Sequence, residues 1–267
     1  MRFKDQTGRI LQVPNFPERI ISLVPSQTEL LIDLGLQDQI IGVTKFCVHP
    51  REIRKLKCIV GGTKQVHLEK IQDLKPDLIL CNKEENTLEM VHSLEQIAPV
   101  HVSDVKTISD NLELILAYGE LMNCKAASEN LIEKIKKSRI AFLSSFEKQR
   151  ASRTVLYFIW KNPWMAAGGD TFIHEMLMEN NLHNCCETIP RYPEIDLKNL
   201  PTNEQPAFIF LSSEPYPFKE IHKKEVKNHF PDSKIILVNG EYFSWYGSRL
   251  VKAFSYFQGL QEELKIN

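Results

Sequence analysis

The chain has 267 residues, 43% of them hydrophobic and 25% charged, which is enough to bury most of its unfolded surface in real cores and to form one or two folding units. Its 33 basic and 34 acidic residues leave a formal net charge of −1, so nothing in the bulk charge favours a polyanion and nucleic acid is not an expected partner. No run approaches the roughly 18 apolar residues of a membrane span. The start, Met1 to Arg9, lacks the apolar core and cleavage site of a signal peptide, so as written the sequence predicts a cytoplasmic chain without membrane insertion.

In chain order, Arg19 to Val24 reads as a strand and is followed by a helix from Ser26. Ile40 to Val43 and Asp77 to Cys81 read as further strands, the second followed by a helix towards Ala98. Alternation of this kind predicts βαβ units on a mostly parallel sheet. Between Gly119 and Pro163 no glycine or proline interrupts the chain, and Leu131, Ile135, Phe142 and Phe146 recur at spacings of four, seven and four. This pattern predicts a long amphipathic helix over about Ala126 to Gln149, ~36 Å at ~1.5 Å per residue, although a surface helix within one domain would carry the same stripe. The alternation restarts with a strand at Thr154 to Ile159, a helix from Thr171, a strand at Ala207 to Leu211 and a helix around Lys219 to His229. A strand at Lys234 to Val238 and a closing helix from Ser248 complete it. The expected fold class is α/β, with two Rossmann-like lobes over 1–123 and 151–267, mostly parallel sheets, and a bridging backbone helix over 124–150.

A weak internal repeat supports two lobes. The segments Pro76 to Glu84 and Pro206 to Glu214 each open a buried strand with proline and place a glutamate eight positions later. In parallel sheets ligands sit beyond the carboxyl ends of the strands, so the residues that follow each strand carry the functional signal. After the first strand, Ser26 can cap a helix and Glu29 can return the bond, leaving other amides free for an acceptor oxygen. After the first strand of the second lobe come Trp160, Trp164, Met165 and a flexible Gly168-Gly169, a composition suited to a large planar ligand or to a core. Near the chain end, Tyr242, Phe243, Trp245 and Tyr246 are followed by Arg249. So apolar a loop either packs under another element or lines a cleft, and Arg249 can clamp an acidic group or pair a local glutamate such as Glu241.

No nucleophile elbow, phosphate loop, dinucleotide fingerprint or zincin motif is present. The six cysteines show no Cys-x-x-Cys and the eight histidines are scattered singly, so neither a disulfide framework nor a metal site is expected. Cys47-Val48-His49 and Cys185-Cys186 are the only soft-metal candidates.

Taken together, the segments Arg19 to Leu30, Gly42-Val43-Thr44, His49-Pro50, Val60 to Thr63, Leu74 to Ile79 and Gly169 to Phe172 resemble the helical-backbone (class III) substrate-binding proteins of ABC importers, the cobalamin, siderophore and haem receptors. The resemblance covers about Pro17 to Leu264. It implies a monomer of two rigid lobes with a shallow cleft, a small-molecule ligand such as cobalamin or an iron chelate, an ABC permease as partner, no resident cofactor, no catalysis, and a periplasmic or cell-surface location. It further implies ligand contacts at Ser26, Phe46, Thr63, Trp164, Tyr192, Trp245, Tyr246 and Arg249, and permease docking through Glu84 and Glu214, with Glu85 and Glu220 as neighbours. Thr63 and Asn82 stand where cobalamin binders carry tryptophans, which leaves Phe46 as the first lobe's aromatic face and keeps a cobamide precursor, haem or an iron chelate open. A cytoplasmic sensor or carrier, or an enzyme using Asp170, Glu241 and His49 on the same scaffold, are the alternatives.

Overall fold

The computed structural model describes residues 1–145, 153–200 and 205–265. The chain forms two compact units, Met1–Lys137 with Tyr246–Val251 and Ser138–Trp245 with Lys252–Asn267. The first unit opens with a hairpin of β1 (Arg2–Lys4) and β2 (Ile10–Gln12). It continues with β3 (Ile20–Ser22), α1 (Pro25–Asp33), β4 (Ile40–Val43), α2 (Ile53–Leu56), β5 (Cys58–Ile59), α3 (Leu68–Asp73), β6 (Leu78–Asn82), α4 (Leu88–Glu95), β7 (Val100–Ser103) and α5 (Ile108–Leu121). Strands β3 to β7 form one parallel sheet in the order β5-β4-β3-β6-β7. Every residue of β3, β6 and β7 is buried, which is why these strands read as continuous rather than alternating apolar runs.

Helix α6 (Lys125–Ser144) starts in the first unit and ends in the second. Its buried stripe is Leu131, Ile132, Ile135 and Phe142, and Phe142 packs on Phe254 and Phe257 with ring centroids 5.8 Å away in each case. Phe146 and the expected end at Gln149 lie outside the described residues. The second unit continues with β8 (Thr154–Trp160), β9 (Met165–Ala166), α7 (Phe172–Glu179), β10 (His183–Asn184), β11 (Phe208–Ser212), α8 (Glu220–Lys227), β12 (Lys234–Val238) and α9 (Glu241–Ser244). A 3-10 turn at Gly247–Arg249 then leads into α10 (Leu250–Glu263). Its sheet runs β10-β8-β11-β12, all parallel, with β9 antiparallel beside β8.

The α/β class and the parallel sheets are as expected, and the repeat is structural. Strands β6 and β11 are both five residues long and fully buried, and each lies between the first and last parallel strands of its sheet. The closing helix begins two residues later than expected, because Ser248 sits in the 3-10 turn.

The hairpin is fixed to β7 by one carboxylate. Asp5 accepts bonds from the backbone of Thr7, Arg9 and Val102 and from the Arg9 guanidinium, while Arg9 also reaches Glu95 and the Val100 carbonyl. Burial pushes the Asp5 carboxyl up, but the bonds from Arg9, Thr7 and Val102 outweigh it and hold the group below its usual range. Beneath the hairpin lies His101, fully buried between Phe3 and Tyr118, with neither ring nitrogen hydrogen-bonded to a described residue. Burial holds its pKa down at about 4, the Asp5 charge offsetting this only in part. Because the folded value lies below the ordinary one near 6.5, the neutral ring is tolerated at pH 7 and stability drains away as pH falls from about 6.5 towards 4. The loss attributable to this ring is about 3 kcal/mol at ~1.4 kcal/mol per pH unit. Urea unfolding of wild type and His101→Phe at pH 7, 5.5 and 4.5 should show a shallower acid loss in the variant; parallel curves would mean that His101 does not carry it.

Candidate functional site

Strand order locates the place to look. In each sheet the chain reverses its direction of growth once, between β3 and β6 in the first unit and between β8 and β11 in the second. Crevices outside the carboxyl ends of such strand pairs are the natural ligand positions of open α/β sheets.

In the first unit that position is occupied by the protein's own polar groups. The Gln27 amide nitrogen lies 2.8 Å from the Tyr246 hydroxyl, 2.7 Å from Ser103 Oγ and 3.1 Å from the Cys81 carbonyl, and its Oε1 accepts from Tyr118 at 2.8 Å. Ser26 also bonds Tyr246, and burial pushes the Tyr246 phenol well up. Ser26 does not cap α1. The cap position is Val24, without a side-chain bond, and Pro25 takes the first turn. The Glu29 carboxylate accepts from Arg249 Nε at 2.8 Å in a pair buried on both sides. Arg249 is thus 4% exposed and paired with Glu29 in α1. The apolar loop packs inward at its end, with Trp245 8% and Tyr246 5% exposed, so these two rings and Arg249 are interior groups.

Around this plug the first unit gathers the other expected residues. The Thr63 carbonyl accepts from Asn86, whose Oδ1 in turn accepts from the Asn82 backbone, so the β5 loop is tied to the end of β6. Phe46 is 49% exposed, lies against Gly62, and carries the Lys45 ammonium 5.1 Å from its ring centroid. Glu85 is half-buried. Burial raises its pKa, and Lys64 together with a bond from the Thr63 side chain draws it back in part. Glu84 is the second residue after β6, its amide bonded to Asn82 and its carbonyl to Lys64.

In the second unit Trp164 and Tyr192 flank paired segments. Ala166, Gly168 and Gly169 donate to the carbonyls of Pro193, Arg191 and Ile189, and Ile195 donates back to Trp164. A Cβ on Gly168 would lie 2.1 Å from the Ile189 oxygen and one on Gly169 1.8 Å from that of Glu187, so the Gly-Gly pair serves close packing and not flexibility. Trp164 stacks on Phe218 at 5.7 Å and 15°, and Arg191 lies 5.9 Å from the Tyr192 ring. Glu214 occupies the place in this unit that Glu84 holds in the other, with its carboxylate accepting from Ser244 at 2.7 Å. The exposed ring at the strand ends is Trp160, the last residue of β8, which meets Tyr216 in the loop after β11. Trp160 stands out in the sequence but Tyr216 does not, because it lies 56 positions away in a proline-rich loop and only β8–β11 pairing joins the two.

Of the enzyme candidates, Asp170 is bound to the Arg191 amide at 2.5 Å. Among the described residues no group of three or more His, Cys, Asp or Glu is placed to hold a metal ion, and no helix is long and apolar enough to cross a membrane. The six cysteines are free thiols, and burial pushes Cys185 up to about 12 and Cys186 up to about 11, far from thiolate reactivity.

Two parallel-sheet units linked by one long helix define the fold as that of a helical-backbone binding protein. The chain belongs to the periplasmic binding protein family, whose sequence profile matches residues 20–235. It is 27% identical over 180 residues to YvrC, an uncharacterised ABC transporter substrate-binding lipoprotein of Bacillus subtilis, covering 65% of this chain and 57% of that one. It is 37% identical over 107 residues to a vitamin B12-binding protein of Vibrio vulnificus, covering 39% of each. The matched stretches thus span less than two thirds of either relative. The petrobactin-binding protein YclQ of Bacillus subtilis shares the fold with a TM-score of 0.80 at 15% identity, over 100% of this chain and 99% of that one.

The buried Glu29–Arg249 pair gives a direct test of the local architecture. Removing one partner strands a charge in the interior and should cost about 3–5 kcal/mol, whereas replacing both by apolar groups of similar volume should cost much less. Denaturant unfolding of Glu29→Leu, Arg249→Met and the double variant should therefore show the double more stable than either single. Additive losses would mean that the two charges do not depend on each other.

Proposed function

We propose that the chain is the substrate-binding component of an ABC importer, which captures a cobalamin-like corrinoid or an iron chelate outside the cytoplasmic membrane and hands it to a permease. The observation that carries this reading is the family match across residues 20–235, on a fold whose carboxyl-end loops carry rings and polar groups. The vitamin B12-binding relative supports the corrinoid arm. Ligand contacts are proposed for Ser26, Phe46 and Thr63 in the first unit and for Trp164 and Tyr192 in the second. Glu84 and Glu214 are proposed to meet the permease, supported by their matching places after the central strands. Surface carboxylates that meet a partner's basic groups contribute orientation and encounter rate more than affinity.

The three tryptophans supply the assay. Titration of purified protein with cyanocobalamin, hemin and a ferric siderophore should give saturable quenching with at least one. Silence for all three from protein with a normal far-UV spectrum and a cooperative melt would remove this reading.

A further inference from the structure

We propose that Trp160 and Tyr216 form a ligand subsite of the second unit that takes the flat apolar face of a macrocycle together with a hydrogen-bond acceptor at its rim, an amide carbonyl or a carboxylate. This rests on the reading above and deepens it, joining Trp160 to a partner, Tyr216, that lies far from it in sequence.

Topology comes first. Trp160 ends β8, and Tyr216 lies in the loop that follows β11, so both stand at the carboxyl end of the strand pair where the sheet reverses its growth. A bond from the Tyr216 amide to the Ile159 carbonyl at 3.3 Å seats the loop beside the end of β8.

Rigidity comes second. Phe158 is fully buried and meets Trp164 edge-on at 5.0 Å; Trp164 stacks on the buried Phe218; Phe218 meets Tyr216 at 4.7 Å; Tyr216 meets Trp160 edge-on at 5.6 Å. This ladder of rings runs from the core to a surface indole that is 39% exposed. Trp160 therefore adds little to the core, while the ladder holds it in one orientation. A large ring fixed in this way loses little freedom when it meets a ligand, the property that makes tryptophan and tyrosine common binding anchors.

Polarity comes third. The Lys219 amide donates to His222 Nδ1 at 2.8 Å, so that nitrogen carries no proton and the ring's hydrogen is on Nε2. Nε2 faces the Tyr216 hydroxyl at 3.4 Å and is therefore the donor there. The phenol oxygen accepts from His222, which leaves its own proton for an acceptor from outside. The Lys161 ammonium, 5.6 Å from the Trp164 ring, is paired with Glu225. The subsite thus offers a flat ring and a neutral donor, chemistry met both by the amide carbonyls of a corrinoid and by the carboxylates of haem.

Calorimetric titration with cyanocobalamin and with hemin tests the subsite, using wild type, Trp160→Ala, Trp160→Phe and Tyr216→Phe. For whichever probe binds, Kd should rise at least tenfold in Trp160→Ala, recover largely in Trp160→Phe, and rise about threefold to tenfold in Tyr216→Phe, which keeps the ladder and removes only the donor. Preference for cyanocobalamin assigns the amide source and preference for hemin the carboxylate source. If wild type binds a probe and Trp160→Ala and Tyr216→Phe bind it equally well, the subsite is wrong while the binding-protein reading stands. If folded wild type binds neither, the subsite falls together with the corrinoid and haem arms of that reading. Should Trp160→Ala fail to fold, Trp160→Phe and Tyr216→Phe decide.

Discussion

The seating of Tyr246–Val251 against α1 and α5 is the constraint on which the first unit depends. Three bonds define it: Gln27 to Tyr246, Asn111 Oδ1 to the Gly247 amide at 2.6 Å, and Arg249 to Glu29 at 2.8 Å. Each is buried, so each polar group that lost its partner would carry a full desolvation penalty. Gly247 is required here by geometry. Its φ is +87, and a Cβ would press to 3.2 Å from Leu30 and 3.3 Å from the Ser26 carbonyl. These residues come from the C-terminal end of the chain, so the first unit is not a contiguous N-terminal piece, and α10 begins in one unit and continues in the other. A cut of the chain within α6 would take Tyr246 from Gln27, the Gly247 amide from Asn111 and Arg249 from Glu29.

That seating also decides how the two sheets differ in use. In the first, a protein ring fills the reversal point between β3 and β6, and what remains outside is largely polar: Thr63, Lys64, Glu84, Glu85 and the exposed Phe46. In the second, the reversal point between β8 and β11 carries an aromatic ladder whose last ring faces outward. Several of the most displaced pKa values, those of Tyr118, Tyr157 and Tyr246, belong to fully buried phenols raised by burial, a mark of packing and not of reactivity. These three phenols are sealed in the interior.

Local order was legible wherever neighbours in sequence are neighbours in space. The strands Ile20–Ser22, Ile40–Val43, Leu78–Asn82, Thr154–Trp160, Phe208–Ser212 and Lys234–Val238 all announce themselves by buried apolar runs, and Thr171 caps α7 as its position before the helix suggests. The proline-to-glutamate repeat was legible because β6 and β11 are equivalent strands. Partners chosen across the chain were not. Glu29 has a plausible local role in a capping box, and nothing within a few residues reveals an arginine 220 positions away that takes its carboxylate. Similarly, Gly168-Gly169 looks like a hinge until the carbonyls of 187–191 are seen to leave no room for a side chain. Trp160 and Trp164 look interchangeable in sequence, and only the second strand's neighbour decides which ring supports and which is presented.

The equivalence of the two central strands sharpens that last point. In both units the final residue of the strand turns its side chain back on the loop that follows: Asn82 Oδ1 accepts from the amides of Glu84 and Glu85, and Ser212 Oγ accepts from the amide of Glu214. The same backbone grammar thus launches two different loops. After β6 it leads through Asn86 to a polar tie with Thr63; after β11 it leads through Tyr216 and Phe218 to stacked rings. Sheets fix where a ligand can sit, while loops of this length are free to vary and set what is gripped. On sheets of the same type the two loops therefore differ in kind: Asn82, Asn86 and Thr63 give the first unit a polar tie, and Trp160 with Tyr216 gives the second a pair of rings ending in a partly exposed indole.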